Sequence, residues 1–357
     1  MSSNPITSVA PSSSPITSVS QSAPRPLAAG HNNPAHFTRL NLELRGQLFP
    51  VDRETLMLLP ESVLLGLFPQ GLVLSKPASW EGGDDGVFAV DFDPDCFNYI
   101  LSFWSRAQLH FYGTPTTPGL FHAQKHIVEA AAQAAASSPT SASGPNSEST
   151  QNPLLSKQAI IVLREELEYF SITTPGALAS VDKNGMGNEE LREMKRACGR
   201  ALEERRTIFA ALQRNVNKEN NLAEQHLIDM LCMSGFDRTD EWGYRACEPN
   251  RNIISSMALV LLKTGIHHPE PGTTDPATGE AAVPTVDAGQ MATAQKLLLF
   301  WRKPARKCWW DGIEVDVPKS SSSKEMMKVK VWARRVWTLE LSLVSLMTCK
   351  PLGEETC

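Results

Sequence analysis

Residues 40–56 read LNLELRGQLFPVDRETL, and the alternation inside this stretch decides the class of fold. Leu40, Leu42 and Leu44 alternate with Asn41, Glu43 and Arg45; Gly46 follows, and a second short extended run continues to Val51. A period of two buries one face of a strand, and a glycine between two such runs turns the chain, so the stretch predicts a hairpin with one buried face. Asp52 is placed to cap a helical turn through Leu56, Pro60 breaks it, and residues 61–68 carry a second short helix. After a Gly/Asp loop at residues 82–86 comes a strand at 87–91. Asp93 then stands as an N-cap with Pro94 as the first helical residue, and Phe97, Ile100, Leu101 and Trp104 recur at i, i+3, i+4 and i+7. Residues 160–170 read as a further helix of the same block, so the expected class is mixed α+β.

Outward from this block the composition divides the chain. Its 357 residues exceed the prior of about 150 per domain, and 25 prolines and 22 glycines are more than one compact domain needs. Residues 1–37 are Ser/Pro-rich, nearly free of charge and aromatics, and repeat PITSV at 5–9 and 15–19. Such a tract buries too little apolar area to offset its ordering entropy, and reads as a disordered tail. A low-complexity stretch at about 123–152, Ala-rich and then Ser/Pro/Thr-rich, reads as a dispensable insertion into the first block, residues 38–172. A Pro/Gly/Thr-rich stretch at 267–290 reads as a linker.

Between these lies a region, 180–266, that reads as helical: Leu191, Met194, Ala197, Leu202, Phe209, Leu212 and Val216 fall near one stripe, and residues 221–233 add a second amphipathic helix. The C-terminal module, 291–357, holds five of the eight tryptophans, at 301, 309, 310, 332 and 337, among β-branched and basic residues. Residues 296–301, 313–317 and 329–344 read as strands, although 332–344 also fits a helix, and the module as a whole is expected to be small and mostly β.

Net charge is −5, but its sign is split: residues 38–172 carry 8 Lys and Arg against 15 Asp and Glu, whereas residues 291–357 carry 12 against 7. Whole-chain electrostatics therefore do not favour wrapping nucleic acid, and any basic surface belongs to the C-terminal end. No run approaches the roughly 18 apolar residues of a membrane span, and residues 1–30 lack the charged start and apolar core of a secretion signal. Seven scattered cysteines, never spaced as CxxC, suggest free thiols in a cytoplasmic or nuclear protein.

In order along the first block, "LNLELRGQLFPVDRETL", "PESVLLGLF", "VFAVDFDPDCFNYILSFW" and "LREELEYFSI" resemble a BTB/POZ domain of the potassium-channel-tetramerisation type. Further on, "KRACGRALEERRTIFAAL", "AEQHLIDMLCMSGF", "WGYRACEPNR", "KLLLFWRKPARKCWWDG" and "WARRVWTLELSLV" resemble the fungal Whi-type general stress-response family. That resemblance implies a non-enzymatic adaptor that activates a plasma-membrane-associated phosphatase, promotes the stress response and restrains TOR complex signalling when amino acids are scarce. It implies a cytoplasmic protein, peripheral at the plasma membrane only through its partner. The BTB resemblance alone implies self-association through the first block, and equally permits a substrate receptor of a cullin-type ubiquitin ligase.

Four motifs spell chemistry without its setting. Cys232 to Arg238, CMSGFDR, has the C-x2-G-x2-R spacing of cysteine phosphatases, but here the Cys ends a helix instead of preceding one, where the helix dipole raises a thiol pKa, and Asp237 would repel phosphate. Asp91, Asp93 and Asp95 follow an apolar strand as in haloacid-dehalogenase phosphatases, yet Asp95 stands where a hydroxyl belongs and Pro94 starts a helix too early. Asp182, Asn184, Gly187 and Glu193 match four positions of an EF-hand loop, while Met186 offers no oxygen at a fifth. His122 and His126 share a helix face with no nearby cysteine to complete a metal site. No Walker loop, GxGxxG or GxSxG occurs, so no cofactor is implied.

The remaining distinctive segment is 296–310, where Arg302, Lys303, Arg306 and Lys307 interleave with Phe300, Trp301, Trp309 and Trp310. Such a pattern fits single-stranded nucleic acid, an anionic membrane surface, or Arg and Lys stems packed over tryptophan faces in a sheet. The protein-docking or structural reading is preferred, with Arg302, Lys303, Arg306, Lys307, Trp309 and Trp310 as the binding residues and no nucleic acid expected.

Overall fold

The computed structural model describes residues 39–68, 87–136, 152–155, 157–172, 189–219, 221–267, 283–319 and 325–344. The expected tail, the loop at 82–86, the Ser/Pro/Thr-rich part of the insertion and most of the linker lie outside the described residues.

Strands β1 (Arg39–Leu44) and β2 (Gln47–Asp52) form the hairpin that the alternation predicts, with Leu42 opposite Phe49 and Leu40 opposite Val51. Leu40, Leu42 and Leu44 are fully buried. The turn takes Arg45 at φ 48° and Gly46 at φ 89°, the left-handed pair of a two-residue hairpin loop. Helices α1 (Arg53–Met57) and α2 (Glu61–Leu67) follow, although the Asp52 carboxylate makes no cap hydrogen bond. Strand β3 (Val87–Val90) runs parallel to β1, completing a three-stranded sheet in the order β2-β1-β3. Helix α3 (Pro94–Tyr112) starts as expected, with the Asp93 carboxylate accepting from the Asp95 and Cys96 amides, and buries Phe97, Ile100 and Trp104.

A short ribbon, β4 (Gly113–Thr114) with β5 (Thr117–Pro118), leads into α4 (Leu120–Ala136). The stretch read as an insertion from residue 123 is thus structured at its start, because alanine-rich sequence is also the best helix former. Ala123 is fully buried, and the buried Gln124 donates to the Leu154 carbonyl at 2.8 Å.

The largest correction concerns residues 160–170, which are not a helix but the heart of strand β6 (Gln158–Ile172). Ile161, Leu163, Leu167 and Tyr169 are buried at a period of two, and Glu165 sits buried among them. A charged residue on the buried face, Glu165, hides the alternation in the sequence. Three helices come next, α5 (Glu189–Glu203), α6 (Ala210–Glu219) and α7 (Leu222–Ser234), in the region read as helical. That region also holds β7 (Tyr244–Cys247) and β8 (Ile253–Leu261), which the helical reading did not include.

Within and after the expected linker, β9 (Ile266–His267) pairs with β10 (Thr285–Val286), and α8 (Ala288–Leu297) is capped by Asp287. Residues 296–301, read as a strand, are the end of α8 and the short α9 (Leu299–Arg302), because Met291, Ala294 and Leu297 recur at helical spacing on a buried face. Strands β11 (Ala305–Pro318) and β12 (Met326–Val344) form a long hairpin, which decides the ambiguous stretch 332–344 in favour of strand.

One five-stranded antiparallel sheet, in the order β11-β12-β6-β8-β7, therefore draws strands from all three blocks delimited by sequence. Its inner face carries helices α5 to α9 over two apolar clusters, one around Leu163, Phe209, Leu212, Leu231 and Trp337, the other around Leu167, Cys198, Leu202, Ile313 and Val331. Between them lies a buried ionic centre. Glu165 accepts from Arg245 at 2.6 Å, from Arg335 at 2.5 Å and from the Trp337 indole at 3.1 Å. Burial alone would raise the Glu165 pKa; the charges of Arg335 and Arg245 outweigh it and hold the carboxyl below its ordinary range.

Candidate docking surface

The outer face of the same sheet is divided into a covered half and an open half. Ile160 and Val162 of β6, Met257 and Leu259 of β8, and Tyr244 of β7 pack against the core that contains Phe97, Ile100 and Trp104 of α3. The contact is close: a Cβ on Gly243 would meet the Tyr99 ring at 2.3 Å, and the Tyr99 hydroxyl accepts from the Leu259 amide at 2.9 Å. That amide lies beyond the last residue paired with β7, so the phenol satisfies a donor that the sheet leaves over.

Further along the strands the face opens. Phe170 on β6, Trp332 on β12 and Trp310 on β11 are 45%, 46% and 57% exposed, with Ile172 exposed beside Phe170. In register, Trp332 stands between Phe170 and Gly312, and Trp310 stands opposite Arg334. The Trp310 and Phe170 rings stack at 6.1 Å with 29° between their planes, while open space surrounds the position a Gly312 Cβ would take. Charges of both signs frame the rings. Arg334 Nε pairs with Glu168 at 2.9 Å, Lys330 lies opposite Glu314, and Lys328 lies opposite Asp316. Three exposed aromatic side chains on three adjacent strands make a rigid apolar platform with a polar rim, the anatomy of a surface that a protein partner desolvates.

The residues picked from sequence are divided by the pleat of β11. Trp310 and Arg306 lie on the outer face and are exposed, and Lys303 is exposed in the turn before the strand. Lys307 and Trp309 lie on the inner side. The Lys307 ammonium pairs with Glu224 and sits 5.4 Å from the Trp309 ring centre, and Trp309 packs 6.2 Å from Trp337. These two thus stand on the helix-covered side of β11, apart from the open face that carries Trp310 and Arg306. Arg302 ends α9, and its side chain lies outside what the structure describes. Sequence reading missed Phe170, Trp332, Arg334 and Glu168, because pairing between strands brings them together and the helical reading of residues 160–170 placed Phe170 elsewhere. The alternation of Lys328, Lys330, Trp332 and Arg334 with Val329, Val331 and Ala333 was the signal available for β12.

At the border of the two halves is a cleft of about 420 Å³, lined by Arg45, Asp91, Asp93, Arg164, Glu166 and Glu248 among others. Arg45 reaches from the hairpin turn to Asp91 at 2.8 Å, Asp93 at 3.3 Å and Glu248 at 2.5 Å, tying the first sheet to the β7–β8 loop. Burial lowers its pKa, but the hydrogen bonds to Asp91 and Glu248 prevail and leave it above the ordinary value. Asp91 and Asp93 are thus engaged by Arg45, and Asp93 also caps α3.

Cys232 lies in the last turn of α7, which ends at Gly235 with φ 149°, and burial pushes its thiol pKa up. Arg238, the would-be phosphate ligand, pairs with Asp229 instead. The EF-hand match falls outside the described residues except for Glu193, whose carboxylate pairs with Arg196 and Arg200. His122 and His126 stand on α4, and among the described residues no three His, Cys, Asp or Glu side chains gather as metal ligands. Among the described residues no helix is long and apolar enough to cross a membrane.

No protein-family model matches the chain. It is 30% identical over 314 residues to a WHI2-like protein of Schizosaccharomyces pombe, covering 85% of this chain and 87% of that one. It is 26% identical to a growth regulation protein of Saccharomyces cerevisiae, covering 85% of this chain and 91% of that one. An uncharacterized protein of Schizosaccharomyces pombe is 22% identical over 86% of this chain and 87% of its own.

Proposed function

The chain belongs to the WHI2-like family, in which growth regulation is the role attached to a relative of nearly full coverage, and from that premise we propose that it is a non-enzymatic adaptor of growth control and the general stress response. In this reading it binds and activates a plasma-membrane-associated phosphatase and restrains TOR complex signalling when nutrients are scarce. The observation that carries the adaptor reading is the open aromatic platform of Phe170, Trp310 and Trp332. Half-exposed tryptophans held on a sheet lose little conformational freedom on binding, and residues of this type dominate interface energetics once desolvated. The mixed charges around them suit a protein surface better than a polyanion, since Arg334 is paired with Glu168 and the acidic Glu314 and Asp316 line the rim.

We read the β1–β2–β3 sheet with helices α1 to α4 as the BTB/POZ-type block that the first three motifs resemble, here packed on the covered half of the large sheet, while the fourth motif, LREELEYFSI, lies in β6 of that sheet. A second reading, a cullin-type ligase receptor, is the one that the BTB resemblance of this block alone permits. Purification of the tagged full-length chain from stressed and unstressed cells separates the two. A co-purifying phosphatase whose activity rises on addition of the chain is expected; a cullin in its place would transfer the proposal to the second reading.

A further inference from the structure

Strand β11 is an edge: among the described residues its only neighbour in the sheet is β12. Its register runs from Ala305 opposite Leu339 to Pro318 opposite Met326 without a bulge. An edge strand turns half of its backbone N–H and C=O groups away from its neighbour, and folded proteins commonly block such an edge with an internal proline, a bulge or a covering element. In β11 the prolines stand only outside or at the ends, at 304 and 318. From beyond the sheet, Arg205 Nη2 donates to the Glu314 carbonyl at 2.9 Å. The two charges on its inner face, Lys307 and Asp311, are already matched, the first by Glu224 and the second by Arg214 and Arg335.

The outer side chains along this edge have a direction. Arg306 stands at one end, exposed and without a carboxylate partner among the described residues; Trp310 and Gly312 stand at the middle; Glu314 and Asp316 stand at the other end, all exposed. A segment that is positive at one end, negative at the other and apolar between is complementary to itself when reversed. Antiparallel pairing about a two-fold axis at Trp310 places Arg306 of one copy opposite Glu314 of the other, and an axis at Asp311 places it opposite Asp316. At the centre Trp310 then meets either its own counterpart or the open space at Gly312. We propose that β11 is the seam of a homodimer, in which two copies of the chain join their large sheets edge to edge about a two-fold axis within residues 310–312. The seam is distinct from the first-block association that the BTB resemblance implies, and it leaves the outer face open, so that two aromatic platforms become one continuous surface.

The test uses the full-length chain in sedimentation velocity, with circular dichroism confirming that each variant is folded. The wild type should dimerise by about 50 µM, a concentration suited to a small interface. Arg306→Glu alone, and Glu314→Lys with Asp316→Lys alone, should each weaken the dimer by about tenfold or more through like-charge contacts. An equimolar mixture of the two variants should recover a one-to-one dimer, because both contacts across the axis are then attractive. A wild type that stays monomeric at about 50 µM would overturn the proposal and leave the edge to a strand from another protein. So would variants that dimerise like the wild type, which would point to the first block, or a mixture that fails to recover.

Discussion

Glu165→Gln is the substitution whose effect follows most directly from the packing. The carboxylate is the shared acceptor for two guanidinium groups and an indole, at 2.6, 2.5 and 3.1 Å. Glutamine keeps the shape and one acceptor oxygen but removes the charge and turns an amide donor toward an arginine. Breaking a buried ion pair by removing one partner costs about 3–5 kcal/mol. Part of that is offset here. Arg335 keeps Asp311 at 3.7 Å, and Arg245 keeps Ser256 and the carbonyls of Leu202 and Glu203. The lower end, about 3 kcal/mol, is therefore expected, or about 6–12 °C in melting temperature for a unit of this size. Thermal and urea unfolding followed by circular dichroism and tryptophan fluorescence measure it. The pH dependence carries the sign. A carboxyl whose folded pKa is depressed contributes stability that is fully present above its unfolded value of about 4.3 and is lost as pH falls through the folded value. The gap between wild type and variant should thus be constant near neutrality and shrink below about pH 4. A loss under about 1 kcal/mol at pH 7, the worth of an ordinary hydrogen bond, would refute the reasoning that this centre holds β6, β7 and β12 together.

Other expectations follow from single contacts. Gly243→Ala drives a methyl into the Tyr99 ring at 2.3 Å and should cost about 1–3 kcal/mol, and Tyr99→Phe should add less in that background than alone, because both disturb one contact between α3 and the sheet. Alkylation followed by peptide mass spectrometry should find Cys308 the first of the five described cysteines to react, since it is exposed. Burial raises the pKa of Cys96, Cys198 and Cys232, and pushes Cys247 up to about 12. Cys232 reacting ahead of Cys308 would reopen the phosphatase-loop reading. Arg45→Ala should loosen the joint between the hairpin turn and the β7–β8 loop, seen as faster hydrogen exchange at both with about 1.5–3 kcal/mol lost, the range for hydrogen bonds to charged groups.

The start of the first block, residues 40–112, was legible because its signals are local. Alternating leucines around Gly46, the Asp93 cap and the helical spacing from Phe97 to Trp104 each need only neighbouring residues, and each stands where it was expected. The large sheet was not legible, because its strands are contributed by segments as far apart as Glu165 and Arg335, and the charge buried at Glu165 disguised the strand at its centre. The candidate surface was half legible for the same reason. Interleaved Trp and Arg on β11 marked the right strand, but a period of two sends Trp309 and Lys307 inward and Trp310 and Arg306 outward. Phe170 and Trp332 join Trp310 only through cross-strand register.

The most direct test of the adaptor account is quantitative co-purification of the phosphatase that the account proposes as partner, with full-length wild type and with a Phe170→Ala, Trp332→Ala variant. Both rings are about half exposed and lie on β6 and β12, so their removal leaves the core and the backbone edge of β11 intact. Two aromatic anchors of an interface are worth about 2 kcal/mol each or more, so the account expects binding weakened by roughly 700-fold and loss of phosphatase activation. A folded variant, checked by circular dichroism, that retains the phosphatase at wild-type yield and activates it fully would contradict it.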